Sequence, residues 1–579
     1  MRCLSHPLRR FREQVEKSCK KALKIMGCDD VELSIEIPPD GMGDLAVPCF
    51  PMAKKLKKPP QKIAEELAAN IEKGELLKEV EVKGSYVNFF MDGNQLAEEV
   101  LRDALNEKEN YGKLESKPIT ILLEHTSANP TGPLHIGRAR NPIIGDSMAR
   151  ILRMAGYKVL TEFYLNDVGK QVAILSYGVK NITLEGAPER DKEDYRLVLH
   201  YQAANREMEG DPSVEDEING MLYDLEHGDE ETIKLVRNVC ERVLSANLSI
   251  LKEINVRIDQ FTWESRFIQE RQVEDVIRRL KQSPLCKQEE DGAYALDLNS
   301  YEIHGKDTDF VFTRKDGTSL YTTRDLAYHL DKFSRCDIAI NVLGEDQKLG
   351  QMQLAAALDI LGEKRRPEWI FYSFVSLPEG RMSTRKGQVV YLDDLIEEAV
   401  DRALVEVKKR RSDLSEEQMR RIACSVGIGS VRFNIARIRA EKQIVFRWED
   451  ALNFEGNSAP FIQYAHARAC SILRKAADGG MTCQQYDPSA LVRKQEGDLM
   501  RSIGSLPLIV EECAERRKIH PMAQYVQELA ILFNQFYQFV PVLKADEKER
   551  KARLALVEAS KWSLGNALRV LGIDAPEEM

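Results

Sequence analysis

Two periods of apolar residues run along this chain, and the places where one gives way to the other divide it. Residues 11–26 repeat at helical spacing, 33–37 alternate as a strand would, 53–71 return to helical spacing, and 80–91 alternate around Gly84. This mixture, ending near residue 112, predicts a small α/β domain. From residue 113 the pattern changes to short solid apolar runs at 119–123, 159–165, 338–343 and 369–375, with helical patterns between them. Buried strands alternating with helices predict a doubly wound, Rossmann-like parallel sheet over 113–378, with ligands at the carboxyl ends of the strands. Two stretches interrupt it. Residues 176–255 are charged and helical in pattern. Residues 285–320 alternate and carry turn signals at Asp291-Gly292 and Asp316-Gly317, as a β-rich excursion does. Residues 379–450 read as a loop followed by an arginine-rich helical linker, and 451–579 read as an all-α bundle.

Length allows three or four domains with a large core, since the chain has 579 residues. The net charge of −10 argues mildly against a nucleic-acid partner, but phosphate contacts need only local basic patches. One such patch is Lys54, Lys55, Lys57 and Lys58. The eleven cysteines are scattered with no C-x-x-C pair, which suits reduced thiols in a cytoplasmic protein and argues against a zinc site. No apolar run is long enough to span a bilayer. The arginine-rich start lacks the apolar core of a secretory signal, and acids at Glu13 and Glu16 speak against a transit peptide.

The densest chemistry lies in EHTSANPTGPLHIGRARNPIIGD, residues 124–146. The strand at 119–123 enters it, and a helical pattern (Ile136, Ile143, Ile144, Met148, Ile151, Leu152) leaves it. Such a loop aims the first amides of a helix at phosphate oxygens. His135 can donate to a phosphate, and Gly137 lets a flat ring approach the backbone. Pro142 is expected to kink the helix. The string resembles the HIGH signature of class I aminoacyl-tRNA synthetases, in the form carried by archaeal-type arginyl enzymes. Arg138 stands where that signature ends in histidine. A second stretch, EGRMSTRKG at 379–387, resembles the KMSKS signature, with Arg381 and Thr384 at its lysine positions and Lys386 as the displaced cation. The strings GDLAVPCFPMAKKLKKPPQKIAEELA and KGSYVNFF resemble the N-terminal extra domain of arginyl-tRNA synthetases, and NSAPFIQYAHARACSILRKA with the closing RLALVEASKWSLGNALRVLGIDAPEEM resembles their anticodon-binding domain.

The resemblance covers nearly the whole chain and implies a class I catalytic domain, an N-terminal α/β domain at the corner of the tRNA, and a C-terminal all-α anticodon-binding bundle. It implies activation of L-arginine by ATP with Mg²⁺, then transfer to the terminal ribose of tRNA(Arg), by a protein that is mostly monomeric in its family. Residue by residue, it implies His135, Gly137, Arg138, Ser383 and Lys386 in catalysis. Pro133, His135, Gly137, Gly344, Asp346, Met382, Ser383 and Lys386 would hold ATP. Glu124, Asn129, Glu264, Tyr321, Asp325 and Gln347 would hold arginine, with Tyr321 stacking on the guanidinium and Asp325 pairing with it. Phe461, Tyr464 and the terminal Met579 would meet the anticodon loop. No protein metal ligands are implied. Three alternatives stay open: a nucleotidyltransferase, which needs neither the bundle nor the acidic pocket; a dead paralogue that only binds tRNA; and a class I synthetase for another amino acid.

Overall fold

The computed structural model describes residues 6–28, 31, 33–39, 41–184, 186–301, 303, 309–376 and 391–579, and of Arg138 and Ser376 the backbone alone. Arg381, Met382, Ser383, Thr384 and Lys386 lie outside the described residues.

The first unit is a helix, Pro7–Ile25, over a three-stranded antiparallel sheet of β1 (Leu45–Pro48), β2 (Leu77–Lys83) and β3 (Tyr86–Met91), in the order β1-β3-β2. Two expectations for this unit need correction. Residues 33–37 form no strand; only Glu36 bridges to Ala46. The single helix expected over 53–71 is two, Phe50–Leu56 and Pro60–Ala69. Pro59 and Pro60 cannot continue a helix, and Lys57 turns the chain at φ +50°.

The central sheet is parallel, ordered β11-β10-β4-β5-β6. Its strands are β4 (Thr120–Glu124), β5 (Lys158–Leu165), β6 (Gln260–Trp263), β10 (Ile338–Gly344) and β11 (Glu368–Tyr372). The middle strand, β4, pairs with both β10 and β5. Its residues Ile121, Leu122 and Leu123 are fully buried, as a strand covered on both faces requires. Edge strand β6 is short and polar at its start, which is why no apolar run marks it. The insertion packs helices Lys170–Asn181, Glu193–Gly210, Pro212–Glu226 and Glu230–Glu253 into their own core around Val172, Ile218 and Val236. The β-rich excursion is a small antiparallel sheet of β7 (Cys286–Gln288), β8 (Tyr294–Leu296) and β9 (Phe310–Val311). The run expected at 369–375 divides after Tyr372. Val375–Ser376 (β12) leaves the main sheet to pair with Ile444–Val445 (β13).

Helix Arg140–Met154 follows β4 and runs against the helical half of the chain. Pro142 falls in its first turn, where no amide donor is needed. Two buried guanidiniums fix the helix. Arg140 donates to the carbonyls of Ser373 (2.7 Å), Lys442 (2.7 Å) and Arg439 (2.8 Å). Arg432, on helix Glu416–Ala436, reaches Asp146 (2.7 Å), the Ile254 carbonyl (2.6 Å) and the Leu571 carbonyl (2.8 Å). Gly572 makes room for it. A Cβ there would lie 2.0 Å from the Arg432 guanidinium, and its φ of +70° suits glycine.

This joint predicts an order of stabilities. Arg432→Met leaves Asp146 in the interior with Arg150 alone and should cost about 3–5 kcal/mol in urea denaturation. Adding Asp146→Leu should recover part of that loss, because the uncompensated charge is then gone.

Candidate active site

The loop after β4 is held by the strand ends around it. Thr126 has φ +72°, a conformation that costs a β-branched residue energy unless neighbours enforce it. Asn141 enforces it: its Oδ1 accepts from the Thr126 amide (2.6 Å), and its Nδ2 donates to the Val342 carbonyl of β10 (2.8 Å). Ser127 Oγ accepts from the Tyr164 amide of β5 (3.0 Å). His125 is buried under the loop with Nδ1 2.7 Å from Thr126 Oγ1, and Gly145 lies so close that a Cβ would come within 2.3 Å of the ring. Burial pushes this imidazole down to about 4, so it is neutral at physiological pH.

Beyond the loop opens a cleft of about 430 Å³, lined among others by Pro133, His135, Gly137, Asn129, Phe374 and Tyr391. His135 stands before a short turn, Ile136–Arg138, and its Nδ1 accepts from the Gly137 amide at 3.0 Å. That bond fixes the orientation of the ring. Gly344 ends β10, and a Cβ there would lie 2.4 Å from Asp346 Oδ1.

A second group of polar side chains descends from helix Tyr321–Arg335 between the ends of β4, β5, β6 and β10. His329 Nδ1 bonds the Asp325 main-chain carbonyl (2.9 Å) and lies 3.0 Å from Asp325 Oδ1, and His329 Nε2 lies 2.8 Å from Asn341 Nδ2. Asn341 Oδ1 accepts from Lys332 (2.8 Å), and Lys332 pairs with Glu124. Gln351 bonds Asp325 Oδ2 (3.3 Å) and accepts from the Trp369 indole (3.0 Å). The direction is legible. Asn341 Nδ2 can only donate, so His329 Nε2 accepts and Nδ1 carries the proton toward Asp325. Burial alone would raise the Asp325 carboxyl. His329, Lys332 and Gln351 together hold it below its ordinary value. Glu264, at the end of β6, is taken by Arg324 of the same helix, and Arg324 also donates to Ser319 Oγ (3.2 Å). Burial raises Glu264 to about 7, against the pull of that guanidinium.

Glu124, Glu264 and Asp325 thus gather at the carboxyl ends of the strands. Tyr321 starts the helix with its ring exposed, one turn from Asp325. Gln347 and Asp346 are exposed and bonded to each other (3.3 Å). Asn129 lines the cleft with His135 and donates to Gln171 (2.7 Å). The supporting residues Lys332, His329, Asn341 and Gln351 carry no mark in the sequence, because their meaning is three-dimensional. Among the described residues no group of three or more His, Cys, Asp or Glu could hold a metal.

At the far end of the chain, Phe461 packs partly into the bundle core while Tyr464 stays exposed. Arg468 lies over Tyr464 at 4.6 Å and over Tyr537 at 4.7 Å, leaving both rings half open. Tyr537 is the partner that sequence reading missed, 73 positions from Tyr464. Met579 rests on the cluster of Ala403, Val407, Ala423 and Val426, and its carbonyl accepts from Arg411 (2.7 Å).

Comparison with known proteins agrees with this arrangement. Residues 100–448 match the model of the class I (R) tRNA synthetase catalytic domain, 462–579 the DALR anticodon binding domain, and 9–91 the arginyl tRNA synthetase N terminal domain. The arginine--tRNA ligase of Methanocella arvoryzae is 49% identical over 532 residues, 92% of each chain. The chain belongs to the arginyl-tRNA synthetase family. The ligase of Methanothermobacter thermautotrophicus is 43% identical over 99% of this chain and all of its own. The arginyl-tRNA synthetase of Thermus thermophilus superposes with a TM-score of 0.85 at 31% identity, covering 98% of this chain and all of its own. The sheet and cleft are those of a class I synthetase, with the arginyl family's N-terminal domain and DALR bundle at either end.

His125 gives a pH prediction for this loop. Its folded value lies below the unfolded 6.5, so the stability it contributes is present above pH 6.5 and is lost as pH falls toward 4. The urea midpoint of the wild type should drop across that window, and that of His125→Asn should drop less. Equal slopes would show that the ring does not titrate on unfolding.

Proposed function

We propose the following division of labour for the family's reaction, the ATP-dependent ligation of arginine to tRNA(Arg). The chain is an arginine--tRNA ligase. ATP enters the cleft at Pro133, His135 and Gly137. His135, Arg138 and the signature cation Lys386 neutralise the triphosphate, with Met382 and Ser383 beside it. Gly137 and Gly344 leave room for the nucleoside, and Asp346 lies at its edge. Arginine binds against the strand ends. Asp325 pairs with its guanidinium, Tyr321 stacks on it, Glu264 adds a second acceptor, and Glu124, Asn129 and Gln347 hold the α-amino end.

A carboxylate oxygen of arginine attacks the α-phosphorus of ATP, and the bond to pyrophosphate breaks. A terminal ribose hydroxyl of the tRNA then attacks the adenylate's carbonyl carbon. AMP leaves, and the hydroxyl proton passes to its phosphate or to water. The first nucleophile is already an anion, so the protein's contribution is charge stabilisation and alignment. The donor set carries no protein cage for a cation. Mg²⁺, which favours phosphate oxygens and water, would arrive on the triphosphate and supply further charge neutralisation. The exposed Tyr464 and Tyr537 faces offer stacking platforms for unpaired anticodon bases, with Phe461 and Met579 nearby on the same bundle. Among the described residues no helix is long and apolar enough to cross a membrane, and the ten described cysteines are unpaired.

One observation carries this reading: the chain Glu124–Lys332–Asn341–His329–Asp325, which fixes a carboxylate with its proton donor behind it, ready for a forked cation. Such a site should reject lysine, which leaves acceptors unpaired. Asp325→Ala should raise the KM for arginine about 100-fold or more in tRNA charging, as loss of charge-assisted hydrogen bonds implies, with the KM for ATP little changed. An unchanged arginine KM would move the guanidinium site elsewhere.

A further inference from the structure

The helical insertion reaches the nucleotide cleft. Helix Glu193–Gly210 contributes Val198 and Tyr201 to its lining. The contact is tight: a Cβ on Gly132 of the loop would come within 2.9 Å of Val198. The segment before this helix is held by ion pairs to helix Leu392–Arg410. Arg190 donates to Asp394 Oδ1 (2.6 Å) and Glu397 (2.6 Å), and Lys192 pairs with Asp393. Asp394 faces two ways. Its other oxygen accepts from the Tyr391 amide (3.0 Å). Tyr391 is bridged to His135 across the cleft floor, and the Leu392 amide donates to the Leu134 carbonyl (2.8 Å). Tyr195 closes the arrangement with its ring edge-on to Tyr391 at 5.1 Å.

We propose that Arg190 is a positioning residue for the nucleotide site. Held by Arg190, Asp394 fixes the Tyr391 backbone, and the Tyr391 backbone fixes His135. The helical insertion is therefore a working wall of the cleft. The arrangement explains two features that packing alone leaves idle. Two acids, Asp394 and Glu397, converge on one guanidinium, and a glycine stands where the insertion helix presses on the loop. The inference rests on the reading of this cleft as the ATP site.

The test is ATP–pyrophosphate exchange by the full chain with saturating arginine and tRNA(Arg), varying ATP. Arg190→Ala should raise the KM for ATP about fivefold to tenfold, the scale of one partly exposed ion-pair anchor acting through geometry. The KM for arginine should stay within twofold. Arg190→Lys, which keeps a cation for Asp394 and leaves the Asp394 bond to the Tyr391 amide in place, should recover at least part of the ATP KM, which a merely structural defect would not do. Salt should raise the wild-type KM for ATP more steeply than that of Arg190→Ala. An unchanged ATP KM in Arg190→Ala, or a loss shared equally by the ATP and arginine constants, overturns the proposal. His135→Ala separates the two levels. If it raises the ATP KM while Arg190→Ala does not, only the positioning role fails. If neither does, the cleft is not the ATP site.

Discussion

A buried guanidinium at the junction of three bodies is the constraint on which this architecture rests. Arg432 comes from the linker helix, Asp146 from the helix that leaves the signature loop, and the Leu571 carbonyl from the end of the bundle. Their separation in sequence is hundreds of residues, so none of these helices can shift without leaving a charge unpaired in the interior. An unpaired interior charge is costly enough to make the arrangement all-or-none. Arg140, six residues before Asp146, repeats the device toward Ser373 and the linker. One helix thus leaves the signature loop and carries two buried cross-links, one to Ser373 and the linker and one to the linker helix and the end of the bundle.

The same economy appears at the substrate end. A site for a flat, permanently charged guanidinium needs fixed acceptors, and a carboxylate on a helix surface is not fixed by itself. Here the acceptors are tied to each other through His329, Asn341 and Lys332, so that Glu124 at the end of β4 and Asp325 on the helix share one polar chain. Asp325 and His329 pair within the helix, and Asn341 of β10 and Glu124 of β4 supply the remaining partners, which is how such groups are tolerated in the interior. Glu264 is satisfied by a neighbouring arginine of the chain itself, Arg324. This group of strand-end acids therefore already contains one guanidinium bonded to a carboxylate.

Much of this was legible in the sequence. The solid apolar runs located four of the five strands of the main sheet because strands covered on both faces must be apolar throughout. The fifth, β6, is an edge strand four residues long and gave no such signal, although the Glu264 at its end stood out as an acid after Phe261 and Trp263. What a proline does depends on its place. Pro142 lies in a first turn, whereas Pro59 and Pro60 divide a segment whose apolar period runs straight through. Residues 33–37 alternate, yet alternation without a paired partner yields only one bridge. Candidate acids were found by their position in motifs. Their supports, His329, Asn341, Gln351 and Asn141, were not, since nothing local distinguishes a polar residue that will meet a partner from another element.

The most direct measurement is arginine-dependent ATP–pyrophosphate exchange by the purified chain, with and without tRNA(Arg), using lysine as the control amino acid. The account predicts that label enters ATP with arginine in the presence of tRNA and not with lysine under the same conditions. Exchange with lysine at a comparable rate, or none with arginine while tRNA binds tightly and salt-sensitively, would contradict it.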